Sequence, residues 1–160
     1  NVKYDLYGMD KNQPVWADNF INRLSKSKMG LNLSQGKAVK YYSSDRFAQL
    51  IGNGLLVFID EKTKFKDFLN SKEIVTYKNF NDLAKKIIKY NKNDKLRRVI
   101  AKNGREKYHR FFNSKIIAEF IIAKSFNINT KKFYWMKWKF IELFLGRVVS
   151  KMTTKMLIFF

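Results

Sequence analysis

The sequence predicts an α/β domain in which helices flank a mostly parallel sheet, and three observations carry that expectation. Leu55-Leu56-Val57-Phe58-Ile59 is apolar without alternation, the mark of a strand covered on both faces. The stretch before it, from Ser44 to about Gly52, carries Phe47, Leu50 and Ile51 at helical spacing and breaks at Gly52-Asn53-Gly54. Around this pair the chain runs strand, helix, strand, helix, strand, strand, then helices, an order that builds parallel sheets.

Taken from the start, Val2 to Tyr7 reads as a first short strand ended by Gly8. Asn1 in place of Met, with that strand following at once, suggests a fragment of a larger protein. Beyond Pro14, Phe20, Ile21 and Leu24 recur at helix spacing, with Lys26 and Lys28 near the helix end. Met29 to Leu33 forms a second strand, and Ser34-Gln35-Gly36-Lys37 is the loop after it. Open α/β sheets bind ligands in such loops, outside the carboxyl ends of the strands. Ser43, Ser44 and Asp45 are the possible caps of the central helix. A polar loop there can set unpaired backbone N–H groups around an anion, with Arg46 as a charged fork in the first turn.

After the central strand, Asp60 to Lys72 reads as a loop with a helical turn around Phe65, Phe68 and Leu69, and Glu73 to Tyr77 as another strand. Asn79 or Asn81 caps a helix that buries Leu83, Ile87 and Tyr90. Asp94 opens the next, in which Leu96, Val99 and Ile100 form the apolar stripe while Arg97, Arg98 and Lys102 face outward. Gly104 costs that helix about 1 kcal/mol against alanine, so the helix bends there or packs closely. Asn113 or Ser114 caps a last helix carrying Ile116, Ile117, Phe120 and Ile121.

At 160 residues the chain has room for one domain with a real core. It has no cysteine, which excludes a disulfide framework, a thiolate metal site and a cysteine nucleophile. No His, Asp and Glu grouping has ligand spacing, so no metal is expected. The formal charge of +20 favours anionic partners, whether nucleic acid, anionic lipid or phosphorylated small molecules. From Asn127 onward, lysines interleave with aromatics. Trp135, Trp138, Ile141 and Leu145 fall on one helix face flanked by Lys137 and Lys139, a basic amphipathic tail that can lie in a membrane interface or pack on the domain. The expected division is therefore a domain over 1–126 and a basic aromatic helical tail over 127–160. The expected location is cytoplasmic, peripheral at the inner face of the membrane.

Met29 to Ser34, Ser44 to Leu56, Glu73 to Tyr77 and Asn81 to Ile87 together resemble the C-terminal donor-binding domain of GT-B glycosyltransferases, on the group-1 and CgeB-like branch. The resemblance covers about Val2 to Phe126. It implies a Rossmann-like domain that binds the diphosphate of a nucleotide sugar and faces an N-terminal acceptor domain absent from this chain. The reaction implied is transfer of a hexosyl group to a glycan, lipid or protein. No cofactor is implied beyond the nucleotide-sugar donor.

Carried over by position, the family's arginine at the helix opening falls on Arg46. Its acidic residue three positions on falls on Gln49, a departure that keeps an acceptor oxygen but loses the charge. Its glycine before the strand falls on Gly54, and its acidic residue before the next strand on Glu73. Ser34, Gly36 and Lys40 complete the expected donor contacts, as groups in the loop after the second strand. The catalytic base is expected from the N-terminal domain rather than from His109, which lies far along the chain in a helix. Two further readings remain: a basic nucleic-acid-binding domain, with Lys137 and Lys139 on phosphates and Trp135 and Trp138 stacking on bases, and a noncatalytic glycosyltransferase remnant.

Overall fold

A computed structural model describes residues 2–4, 7, 13–33 and 36–137. The elements are α1 (Ala17–Lys26), β1 (Met29–Asn32), α2 (Asp45–Gly52), β2 (Leu56–Asp60), two short 3-10 turns (Glu61–Thr63 and Phe65–Asp67), β3 (Val75–Tyr77), α3 (Phe80–Lys92), α4 (Asp94–Phe111) and α5 (Ser114–Ser125). They fall into two compact units, Asn1–His109 and Arg110–Phe160.

In the first unit the three strands form one parallel sheet in the order β1-β2-β3, with Met29 opposite Leu56 and Phe58 opposite Val75. The α/β expectation holds: helices flank a parallel sheet, the arrangement of a Rossmann-like half domain. Alternation along the strands sorts the side chains into two layers. Met29 and Leu31, Leu56 and Phe58, and Val75 and Tyr77 pack with Leu83, Ile87 and Tyr90 of α3 and with Leu96, Ile100 and Ala101 of α4. The opposite face receives α2. A Cβ on Gly30 would collide with the Leu50 side chain, so glycine lets α2 lie close on β1. Leu56, Val57, Phe58 and Ile59 are all within 1% of complete burial, as a central strand lacking alternation should be.

Three local expectations change. Val2, Lys3, Tyr4 and Tyr7 form no strand, while Asp5 and Leu6 lie outside the described residues. In α4 the inward side is Arg97, Ile100, Ala101 and Gly104, whereas Val99 is exposed. Arg97 turns inward because it has partners there: its guanidinium donates to Asp94 Oδ1 at 2.6 Å and to the Lys28 carbonyl at 3.2 Å. A buried charge held this way is tolerated. Gly104 follows the close-packing alternative, since a Cβ there would meet the carbonyl oxygen of Glu73.

In the second unit, Asn113 caps α5 by accepting from the Ile116 N–H. A small aromatic core follows, in which Phe120 meets Phe133 at 5.1 Å and Trp135 at 5.3 Å and Phe112 stacks on Trp135 at 5.5 Å. The expected tail helix begins differently, because Tyr134–Lys137 is a 3-10 turn and Trp135 is buried. Trp138, Lys139, Ile141 and Leu145 lie outside the described residues. Among the described residues no helix is long and apolar enough to cross a membrane.

Candidate functional site

Parallel strands send the loops after β1 and β2 to one edge of the sheet, and there the chain ties them together. Asn32, the last residue of β1, is 1% exposed. Its Oδ1 accepts from the Ser44 hydroxyl at 2.7 Å, while its Nδ2 has no hydrogen-bond partner among the described residues. Ser44 is the N-cap of α2, yet its side chain makes no cap bond because the hydroxyl goes to Asn32. The first N–H groups of α2 are left uncapped by a side chain beside an unpaired amide donor. Buried donors are rarely left unmade, and an acceptor arriving from outside the chain resolves both.

The loop from β1 to α2 is fixed at its middle. Tyr41 adopts a left-handed conformation, φ 61°, uncommon for a residue with a bulky side chain. Its N–H donates to the Thr63 carbonyl at 2.8 Å and its hydroxyl to Asp67 at 2.7 Å. Its ring meets Phe68 edge-on at 5.0 Å. Burial, then the Asp67 hydrogen bond and charge, push the Tyr41 hydroxyl up to about 12. Asp60, at the end of β2, accepts from the Lys62 N–H and shapes the turn that supplies Thr63. Strain held by several contacts in a loop is a common feature of binding sites.

The expected site residues divide across the sheet. Arg46 sits in the first turn of α2, exposed, with no hydrogen bond or ion pair among the described residues. Gly36, at φ 73°, and Lys40 are exposed in the same β1–α2 loop, with the Lys40 ammonium 4.8 Å from the Tyr41 ring centroid. Ser34 lies outside the described residues. Gln49 is exposed on α2, a turn further along, where its carbonyl accepts from Asn53. Glu73 stands at the opposite, amino edge, before β3 begins. Its carboxylate accepts from the Asn70 N–H at 2.7 Å and from Lys107 at 2.9 Å, so it is not brought together with Arg46.

His109 is also at the amino edge, where its Nε2 donates to the Gly52 carbonyl at 2.9 Å. An open cleft of about 540 Å³ lies there, lined among others by Gly54, Arg98, Lys102, Arg105 and His109. Two of its cations are paired: Arg98 with Asp94 at 2.6 Å and Lys102 with Glu106 at 3.8 Å.

Asn32 and Tyr41 were missed by sequence reasoning. A single asparagine closing an apolar strand was the available signal for the first. A left-handed tyrosine has no signature in composition. Among the described residues, no group of three His, Asp or Glu is placed to hold a metal ion.

With this geometry in place, comparison with known proteins decides the family. The glycosyl transferase-like family matches residues 2–123. The chain belongs to the glycosyl transferase-like family. Membership gives it a glycosyl-transfer function in general terms, and the match spans the whole sheet together with α2, α3 and α4. No curated protein and no solved structure matches the chain. The carboxyl edge has helix N–H groups without a side-chain cap and the exposed Arg46, an arrangement suited to an anion, while the amino edge has mainly groups already paired.

Proposed function

We propose that the chain is the donor-binding half of a GT-B type, CgeB-like glycosyltransferase, and that it holds the diphosphate of a nucleotide sugar at the carboxyl edge of its sheet. The observation that carries this reading is the buried Asn32 Nδ2, without a partner among the described residues, beside the start of α2, which no side chain caps. Glycosyl transfer departs through a nucleoside diphosphate, and oriented N–H donors and a cation at the developing charge lower its barrier. In this reading the first turn of α2 and Arg46 take the phosphate oxygens and Asn32 donates to the ligand. Gly36 and Lys40 bound it from the loop, with Ser34 beside them. Gln49 is assigned to the ribose hydroxyls, and the acceptor and its base to an N-terminal GT-B domain. The working location is the cytoplasmic side of a membrane. Glu73 is left with a structural role.

Calorimetric titration with UDP, GDP, ADP and dTDP at near-physiological salt tests this, because salt suppresses general attraction to a +20 chain. Saturable binding selective for one base is expected, weakened on the order of tenfold by Arg46→Ala, or about 1.4 kcal/mol. Uniformly weak binding across the panel by a folded chain overturns the reading in favour of a noncatalytic remnant. Base-independent, salt-sensitive binding of RNA or DNA in its place would favour a nucleic-acid domain.

A further inference from the structure

We propose that the exposed apolar side of α5 docks on an anionic lipid bilayer. α5 is apolar on two sides. Phe120 and Ala123 are buried, with Phe120 against Phe133 and Trp135 of the same unit. A water-facing helix ordinarily turns polar on the side away from its core. α5 instead presents Ile117 and Ile121, each 37% exposed, and Ile122, 55% exposed. At about 3.6 residues per turn these share one arc with Ala118, Ser114 and Ser125, bounded by Lys115 on one side and Lys124 on the other. The chain then leaves the helix through Phe126, 74% exposed, and Ile128, 58% exposed.

Charge selects the occupant. Residues 110–160 carry ten Lys and Arg against two Asp and Glu. One of those acids, Glu119, is ion-paired with Lys132 at 3.7 Å. A partner protein covering this side would have to match Lys115 and Lys131 with acidic groups as well as cover the isoleucines. Anionic headgroups meet both demands at once: the ammonium groups stay at headgroup level while Ile and Phe side chains enter the boundary of the acyl chains. The inference stands on α5 and the turn after it and is independent of donor binding.

The chain has no cysteine, so Ile122→Cys and Phe126→Cys each create a single thiol for an environment-sensitive dye. Val99→Cys, exposed on α4 in the first unit, is the control. Vesicles of phosphatidylcholine containing about 30% phosphatidylglycerol supply the anionic surface. Dyes at 122 and 126 are expected to shift to the blue and to be quenched by brominated lipid, whereas the dye at 99 is not. Pure phosphatidylcholine is expected to bind on the order of tenfold more weakly. Circular dichroism of each labelled chain should match that of the parent. Co-sedimentation with no shift at 122 or 126 overturns the proposal, because charge elsewhere then holds the chain. A shift without vesicles that grows with protein concentration overturns it in favour of a second copy, and failure to associate with anionic vesicles overturns it outright.

Discussion

The two edges of the sheet make an instructive pair. The amino edge has an open cleft of about 540 Å³ with Arg98, Lys102 and Arg105 around it. Yet Glu73 is tied to Lys107 and Asn70, Arg97 to Asp94 and Lys28, Arg98 to Asp94, and His109 to Gly52. The carboxyl edge leaves the buried Asn32 Nδ2 without a partner among the described residues and bends Tyr41 into the left-handed region. Volume and charge alone would choose the first edge. The unpartnered Asn32 donor points to the second, because a buried donor is costly to leave unmade and a bound acceptor relieves that cost. The polar groups of the amino edge are spent on the fold, whereas the proposed site lies at the carboxyl edge.

That contrast can be broken by substitution. The largest effect is expected at the amino edge. Gly104→Ala drives a methyl group into the Glu73 carbonyl, a backbone atom unable to step aside. Urea unfolding should report a loss of about 3 kcal/mol. Nucleotide-diphosphate affinity per folded molecule should stay unchanged, and a parallel loss of affinity would blur the division between the edges. Next is Asn32→Leu, which has the reverse profile. It removes a buried donor with no partner among the described residues but also the acceptor of the Ser44 hydroxyl, opposed effects that should leave the unfolding midpoint close to that of the parent, while binding should weaken by about 2 kcal/mol if that donor meets a charged ligand. Unchanged binding by the leucine variant would remove Asn32 from the site. Smaller again is Tyr41→Phe, which cuts the bond to Asp67 at a cost of about 1 kcal/mol. The absorbance titration of the parent should show one tyrosine ionising near 12 that the variant lacks. The sign follows from the raised value: this stabilisation is complete below the ordinary tyrosine range and is lost as pH climbs through about 12.

Much of the fold was legible because its signals are local. The unbroken apolar run at Leu55 to Ile59 and the stop at Gly52-Asn53-Gly54 located β2 and α2 to within a residue or so. Asn79 and Asn113 were readable as caps because the side chain bonds a backbone N–H three residues on. What escaped depends on distant partners. Arg97 looks like a surface cation until α4 is laid against the Lys28 carbonyl, a residue 69 positions away. Ser44 reads as a cap until Asn32 takes its hydroxyl. For the site, Arg46, Gly36 and Lys40 were placed together at one edge, since residues near each other in sequence share a loop. Glu73 was joined to them through the family resemblance, as the acidic residue before a strand. The start of a parallel strand lies at the opposite edge from its end, so that position sends it to the amino edge.

Acid provides the finest probe of the amino edge. Hydrogen bonds from Arg97 first and Arg98 second, opposed in part by desolvation, hold the Asp94 carboxyl below its ordinary range. Asp82, held mainly by Lys86 and then by the Lys78 N–H, is lowered in the same direction. A carboxyl that is more acidic when folded stabilises the fold fully above its unfolded value, and that contribution disappears as pH falls through the lower folded value. Unfolding midpoints should therefore start to decline as pH falls into the ordinary carboxylate range and go on declining below it. Asp94→Asn should flatten part of that decline, because the amide no longer titrates. It should not remove all of it, since Asp82 still titrates on a different pair of elements, β3 and α3. If Asp94→Asn leaves the slope unchanged, the Arg97 network is structural packing around a side chain whose charge contributes nothing, and the amino edge owes its integrity to Gly104 and the sheet alone.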